Sequence, residues 1–326
     1  INHRQAPRFR YPAAVEDVIF GCVGQAGEQS TNIARNAVLS SRLPEEVPAT
    51  SIDRQCGSSQ QALHFAAQAV MSGSMDVVIA GGVESMTRVP MGLPVILPEK
   101  NGLGHYRGER LKERYGDIEF SQFTGAEMVA EKYGLSKETL DEFGYASQVK
   151  AARAAQGGAF DDEIAPLDVI GADGTKEIHR LDEGIRFDAS LDAMKQVKLL
   201  REGGRLTAAT ASQICDGASA VMVVNEKGLK SLGLSPMARI HHMSVMGGDP
   251  VIMLDAPMPA TQRALDKAGL RIDDIDLFEV NEAFASIPLG WLQVTGADPN
   301  RLNVNGGAIG LGHPLGATGT TPMTTP

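Results

Sequence analysis

Asp53-Arg54-Gln55-Cys56-Gly57-Ser58-Ser59-Gln60-Gln61-Ala62 opens the stretch that decides the fold, and the stretch runs on to Gly81-Gly82. After Cys56, the residues Ala62, Phe65, Ala66, Ala69 and Val70 recur at helical spacing until Gly73 closes the run. Asp76 to Ala80 then reads as a buried strand that ends in two glycines. This helix–strand unit sets Cys56 just before or at a helix N-terminus, where unpaired N–H groups and the positive dipole end favour an anion. A thiol attacks as the thiolate, and a free cysteine with a pKa of ~8.5 is mostly protonated at neutral pH. Such a position therefore suits a nucleophile. The alternative is a buried cysteine acting as a small hydrophobe. Cys22 and Cys215 fit that alternative; Cys56, between a polar tripeptide and a glycine–serine turn, does not.

Working outward, the alternation of short apolar runs and helical stretches is the signature of an α/β fold. Val15 to Val23 reads as a strand, and strand chemistry returns at Ala220 to Val224. Between them the character changes. Prolines and glycines cluster from Pro90 to Gly108, and one helix should start at Ser136, with Leu140, Phe143, Ala146 and Val149 on one side and a stop at Gly157-Gly158. That segment reads as an insertion whose loops cover a site. Further on, Thr261 should cap a helix ending at Gly269, and Ile275 to Val280 should be a buried strand. The divisions that follow are 1–88 with 205–230, an inserted loop domain over 89–204, and a C-terminal domain over 231–326.

With 326 residues, 43% of them hydrophobic and 21% charged, the composition is that of a globular protein of about two domains. No apolar run approaches the roughly 20 residues of a membrane helix, and no secretory signal is visible after Ile1. A net charge of −10 argues against a nucleic-acid surface, and any phosphate-bearing substrate would need locally gathered cations. The three cysteines are neither a disulfide framework nor a zinc site, which points to a reducing, cytoplasmic setting, with an organelle as the alternative.

Two further motifs carry chemistry. Asn303-Val304-Asn305-Gly306-Gly307-Ala308-Ile309-Gly310-Leu311-Gly312-His313-Pro314-Leu315-Gly316-Ala317-Thr318-Gly319 is too glycine-dense for an ordinary loop. It lacks the Lys-Ser or Lys-Thr of a phosphate loop and the spacing of a dinucleotide fold. His313, pinned between a glycine and a proline, is either a structural histidine or a catalytic one. Val280-Asn281-Glu282-Ala283-Phe284-Ala285 follows the expected strand, where open α/β sheets gather ligand chemistry. Asn281 could hold a water and Glu282 anchor a loop there, or both could merely cap the next helix.

Together these segments resemble the thiolase family, as do Ala80-Gly81-Gly82-Val83-Glu84-Ser85-Met86 and Thr207-Ala208-Ala209-Thr210-Ala211-Ser212. The resemblance runs from about Val15 to Thr318. It implies two related mixed-sheet domains in an α-β-α-β-α arrangement with an inserted loop domain. Cys56 would be the acyl-carrying nucleophile. His313 would activate it and donate to the substrate thioester oxygen, with a water held by Asn281 as the second donor. Ser212 and Ala208 would lie along the pantetheine arm, Ala283 and Phe284 would form its apolar wall, and Arg186 would face the nucleotide of coenzyme A. Taken alone, Arg186 is equally a solvated surface cation. The reaction implied is ping-pong acyl transfer between a 3-ketoacyl-CoA and CoA, with no metal or redox cofactor, in a homodimer or homotetramer.

The chain departs from this family in three ways. The second cysteine of a Cys-x-Gly turn, acid and base for the acetyl carbon, is absent after Cys215. The first, central strand has no counterpart before Val15. The expectation is thus a piece of a longer thiolase, missing both ends, with unpaired strand edges, poor stability and no turnover of its own. Finally, Gln122-Phe123 stands where acetoacetyl-CoA thiolases carry His-Met, which favours longer or bulkier acyl groups. A ketosynthase-type condensing enzyme would carry a histidine in place of Asn281. A non-catalytic acyl-CoA or lipid-binding relative would keep the fold without a reactive Cys56.

Overall fold

The computed structural model describes residues 12–171 and 173–324. Its N-terminal half is a four-stranded sheet in the order β2-β1-β3-β6, formed by β1 (Asp17–Gly21), β2 (Ala49–Ile52), β3 (Val77–Ser85) and β6 (Asp216–Val224). β1 runs parallel to β2 and to β3, and β6 closes the sheet antiparallel to β3 from Val77↔Val224 to Ser85↔Asp216. The expected gap beside the first strand is not there. Among the described residues β1 is hydrogen-bonded on both sides, to β2 and to β3, so its own backbone groups find partners.

The two-residue period of the strands sorts the core into two faces. Ile19, Val78, Ala80 and Val223 meet Ala62, Leu63, Ala66, Ala67 and Val70 of α2 (Ser58–Ser72). Val18, Val77 and their neighbours meet Val38 of α1 (Ile33–Leu39) and Leu232 of α8 (Glu226–Leu232) on the other face. α2 is alanine-rich because the sheet lies close against it, and Gly73 ends it in the left-handed conformation (φ +77°). Ile240 and Met243 of an extended stretch also pack against the α2 cluster, so α2 is covered by the C-terminal half as well as by the sheet.

The insertion supplies α3 (Leu93–Lys100), α4 (Glu109–Tyr115), α5 (Gln122–Lys132), α6 (Lys137–Gln156), the hairpin β4 (Leu167–Ile170) and β5 (Lys176–His179), and α7 (Leu191–Lys195). The proline- and glycine-rich part is more helical than its composition implies: Pro94 sits in the first turn of α3, where its missing N–H costs nothing. Ser136 caps α6 through Thr139 N–H as expected. The buried face of α6, however, is Leu140, Gly144, Ser147, Gln148 and Ala151, while Val149 is exposed. The helix is rotated from its apolar pattern because Ser147 Oγ accepts from Gly307 N–H and Gln148 Nε2–H donates to Ile309 O, both in the glycine-rich segment.

The C-terminal half contributes α9 (Pro257–Ala268), α10 (Ser286–Thr295), α11 (Ala308–Leu311) and α12 (Thr321–Thr324). Its core joins α5, α6, α9 and α10 around Leu140, Leu206, Phe284, Trp291, Leu302 and Ile309. Two expectations are corrected here. α9 begins at Pro257, so Thr261 lies inside it, donating to Pro257 O and accepting from Trp291 Nε1–H. Among the described residues the stretch 275–280 makes a single isolated bridge, Phe278 to Leu302, with Asn303 Oδ1 accepting from Val280 N–H in place of a ladder partner.

Candidate active site

Cys56 lies in the turn between β2 and α2, half-buried, two residues before the first helical residue Ser58. The turn is held locally. Gln55 takes a left-handed φ of +48°, an uncommon state for a residue with a Cβ. Asp53 Oδ1 accepts from Gln55 N–H, and Ser58 Oγ donates to Gln55 O while accepting from Arg54 N–H. A residue in a sparsely populated conformation beside a thiol is the kind of strain found at reactive sites.

His313 reaches the same region from the other half of the chain. Gly312, at φ +89° with Cys215 Sγ against it, can carry no side chain; it turns the chain after α11 and leaves His313 buried. The segment after His313 is then seated on the N-terminus of α2. Gly316 O packs between Gly21 and Gly82 of the sheet, Gly319 lies on Gln60, and Thr320 N–H donates to Ser59 Oγ at 3.0 Å. This seating brings the histidine loop and the cysteine turn together.

Hydrogen bonds define the protonation state of His313. Thr318 Oγ1 spends its one proton on Pro314 O (2.9 Å), so at 2.6 Å it accepts from His313 Nδ1–H. Nε2 therefore carries the lone pair, and Asn281 Nδ2–H points at it from 3.3 Å. Burial pushes the His313 pKa down to about 4, so the ring is neutral and able to accept a proton. Asn281 Oδ1 is buried with no hydrogen-bond partner among the described residues. The thiol of Cys56 is pushed the other way, up to about 11, chiefly by burial, against its own backbone N–H and with added repulsion from Glu84 and Asp53. The helix terminus does not outweigh burial here. The thiol rests protonated, and attack requires a base.

The remaining residues singled out from the sequence fall into two groups. Ala283 and Phe284 are buried beside Ser212, whose N–H donates to Ala283 O, and Phe284 bridges Ala211; Ala208 is exposed on the same short helical turn (Ala208–Thr210). Arg186 is exposed and lines a cavity of about 500 Å³ together with Tyr145, Arg153 and Phe187. Its backbone N–H donates to Gln148 Oε1, and Gln148 Nε2–H donates to Ile309 O, which ties this cavity to the histidine loop. Sequence reasoning missed Thr318, although it lies within the quoted glycine-rich motif, and it missed Gln213, whose carbonyl accepts from His313 N–H. Nothing in their spacing distinguished them. Glu282 was read as a loop anchor or a cap. It anchors, accepting from Ser147 Oγ–H, Asn303 Nδ2–H and Ile309 N–H.

A protonated thiol at a strand–helix turn, a neutral histidine and an orphaned amide oxygen are thus carried on a mixed α/β fold, and the comparisons with known proteins give the class to which that fold belongs: an acyltransferase. The pattern of the thiolase N-terminal domain matches residues 11–227, and that of the C-terminal domain matches residues 234–325. A steroid 3-ketoacyl-CoA thiolase of Mycobacterium tuberculosis is 50% identical over 316 residues, 96% of this chain and 76% of the relative. A 3-ketoacyl-CoA thiolase of Marinobacter nauticus is 41% identical over 321 residues, covering 96% and 79%. Among solved structures, human mitochondrial 3-ketoacyl-CoA thiolase superposes with a TM-score of 0.83 at 35% identity, and the acetyl-CoA acetyltransferase of Bacillus anthracis with 0.85 at 34%, each over 96% of this chain and 80% of the other. The chain belongs to the thiolase family.

Proposed function

We propose that the protein passes acyl groups between a 3-ketoacyl-CoA and CoA through a thioester on Cys56. In the thiolytic direction His313 Nε2 takes the thiol proton as sulfur attacks the 3-keto carbon. The new Nε2–H, and a water held on Asn281 Oδ1, then face the oxygens on which charge develops. The carbon–carbon bond breaks and acetyl-CoA leaves as an enolate, which takes a proton from a second acid. CoA thiol then attacks the Cys56 thioester; its proton replaces the one that acid gave up, and His313 returns the proton it holds to the departing Cys56 sulfur. The family resemblance assigns the enolate's acid to a Cys-x-Gly cysteine; the 326 residues hold cysteines at 22, 56 and 215. The observation that carries this reading is the His313 lone pair facing Asn281 on a loop seated beside the cysteine turn.

CoA enters as a substrate. Arg186 and Arg153 at the cavity mouth would hold its phosphates, which a protein of net charge −10 has to receive locally. Ser212, Ala208, Ala283 and Phe284 would line the pantetheine arm. Phe123 packs edge-on to Phe284 (5.5 Å between ring centres), with Gln122 beside Met91. That aromatic wall, and the name of the Mycobacterium relative, support a bulky, ring-bearing acyl group. A homodimer or homotetramer is the assembly the family supports. Among the described residues no helix is long and apolar enough to cross a membrane.

The test is intact-mass detection of the acyl adduct. Mixing the protein with a 3-ketoacyl-CoA, or with an acyl-CoA for the half-reaction, should add one acyl group that CoA removes. C56A should carry none, and H313A should acylate about 100- to 10,000-fold more slowly. An adduct that persists in C56A would refute the assignment.

A further inference from the structure

Glu84 is 2% exposed at the C-terminal end of β3, and its two oxygens gather donors from three separate segments. Oε2 accepts from Val23 N–H (2.8 Å) and from Gly316 N–H (2.9 Å). Oε1 accepts from Gly24 N–H (2.8 Å) and Gln29 Nε2–H (3.0 Å), with the Cys22 thiol at 4.0 Å. Val23 and Gly24 continue β1, whereas Gly316 stands three residues after His313. One carboxylate therefore staples the histidine loop to the strand ends beneath the cysteine turn. At the other end of the same loop Glu282 holds Ile309 N–H, so His313 is suspended between two buried carboxylates.

Only a carboxylate satisfies this arrangement. Its two oxygens offer about four acceptor sites and no donor. A glutamine would turn an NH₂ toward backbone N–H groups on one side of the cage. The loop carbonyl is equally constrained, since Gly316 O lies against the bare Cα atoms of Gly21 and Gly82. The histidine ring itself is fixed to Thr318, two residues beyond Gly316, so a displacement of Gly316 is carried into Nε2.

We infer that Glu84 is a positioning residue for acyl transfer: it fixes the His313 loop against the strand ends beside Cys56 and so sets the geometry between base and thiol. It touches no reacting atom. The inference rests on the reading of Cys56 as the acylated nucleophile, and the experiment separates the two. A misplacement of about 1 Å between reacting groups slows a reaction by about 100-fold.

Glu127 is the control. It is also a buried glutamate accepting backbone N–H groups, from Arg205 and Leu206, and it does not touch the histidine loop. Acylation of Cys56 by an acyl-CoA is followed by rapid-quench mass spectrometry in wild type, E84Q, E84D and E127Q, each first checked for a cooperative melt. E84Q should acylate about 100-fold more slowly with the half-saturating acyl-CoA concentration unchanged within about threefold, and E127Q should keep the wild-type rate within about threefold. The pH midpoint for iodoacetamide alkylation of Cys56 should fall in E84Q, because the Glu84 charge adds to burial in holding the thiol protonated. E84D, which keeps that charge, should keep the midpoint and recover part of the rate.

No acyl adduct on wild type would refute the Cys56 reading itself. An adduct on wild type with E84Q within threefold of it, or with E127Q slowed as much as E84Q, would overturn the role of Glu84 alone. If only E84D melts cooperatively, its rate decides: a fall of tenfold or more upholds the inference and a wild-type rate overturns it. If neither variant melts cooperatively, Glu84 is a structural carboxylate and the inference fails.

Discussion

Cys56 and His313 show how environment assigns roles to two side chains. Burial raises the thiol to about 11 and lowers the imidazole to about 4, so at neutral pH both are uncharged and the proton lies on sulfur. Cys22, buried at the end of β1, is raised further, to about 12, and Cys215 to about 11. Resting thiolate therefore does not distinguish Cys56 from the other two, and Cys215 is half-buried as Cys56 is; Cys56 is set apart by its place in the strand–helix turn and by the family motif around it. A pH dependence follows. The rate of Cys56 acylation should fall as pH drops through about 4, where His313 becomes protonated and ceases to be a base. It should then hold a plateau toward about 11. Alkylation of the substrate-free thiol should instead climb tenfold per pH unit across that whole range. Parallel profiles for the two reactions would remove His313 as the base. Cys56 and His313 stood out in the sequence because each sits in a turn rich in polar residues or glycine rather than in an apolar run. It left Thr318 hidden, because a threonine four residues after Pro314 acquires its meaning only when the loop folds back on itself.

At the scale of elements, the site depends on glycines that permit backbone to meet backbone. β1 and β3 each present a glycine, Gly21 and Gly82, where the carbonyl of Gly316 arrives. A methyl group at position 82 would collide with that carbonyl and with Gly316 C and Ala317 Cα, none of which is the free end of a side chain. G82A should cost about 1–3 kcal/mol of stability, as overpacking does. Its loss of Cys56 acylation should exceed what the melt explains, since the His313 loop is the part displaced. A variant that melts lower yet acylates at the wild-type rate would show that the loop is held elsewhere. α2 and the strands around it were readable from periodicity, because hydrophobic spacing reports one element packing on one face. The orientation of α6 was not. Ser147 and Gln148 face inward to hydrogen-bond Glu282 and Ile309 O, and a pattern of apolar residues carries no record of polar side chains buried against a partner.

The described residues pack into three hydrophobic clusters. Two lie on opposite faces of the N-terminal sheet, and the third, the C-terminal core, gathers the helices around Trp291; the segment from Ile309 to Thr320 runs from that core to the N-terminus of α2. Trp291 is the single tryptophan in the sequence, so its fluorescence reports the C-terminal core directly. W291A should destabilise by about 3–5 kcal/mol, as large-to-small changes of a buried aromatic do. His313 adds an acid sensitivity of defined sign. Its folded pKa of about 4 lies below the unfolded value of 6.5, so the unfolded chain binds the proton first as pH falls. Stability should decline from about pH 6.5 downward and lose about 3 kcal/mol by pH 4, on the scale of 1.36 kcal/mol per pKa unit. In H313N, urea titrations across that range should show a correspondingly smaller decline. An unchanged slope would mean that the ring is solvated in the folded state.

The family and its class of chemistry were legible in the sequence alone, because they are written as short runs of residues whose types suit a nucleophile or a rigid turn. Tertiary structure decided what neighbours impose. It paired β1 on both sides where a gap was expected, left residues 275–280 with a single isolated bridge, and started α9 at Pro257. It also set the protonation of Cys56 against the helix terminus and gave Glu84 its four donors. The donors around Glu84 and the pairing of β1 come from segments far apart in the chain, and no local pattern encodes such meetings.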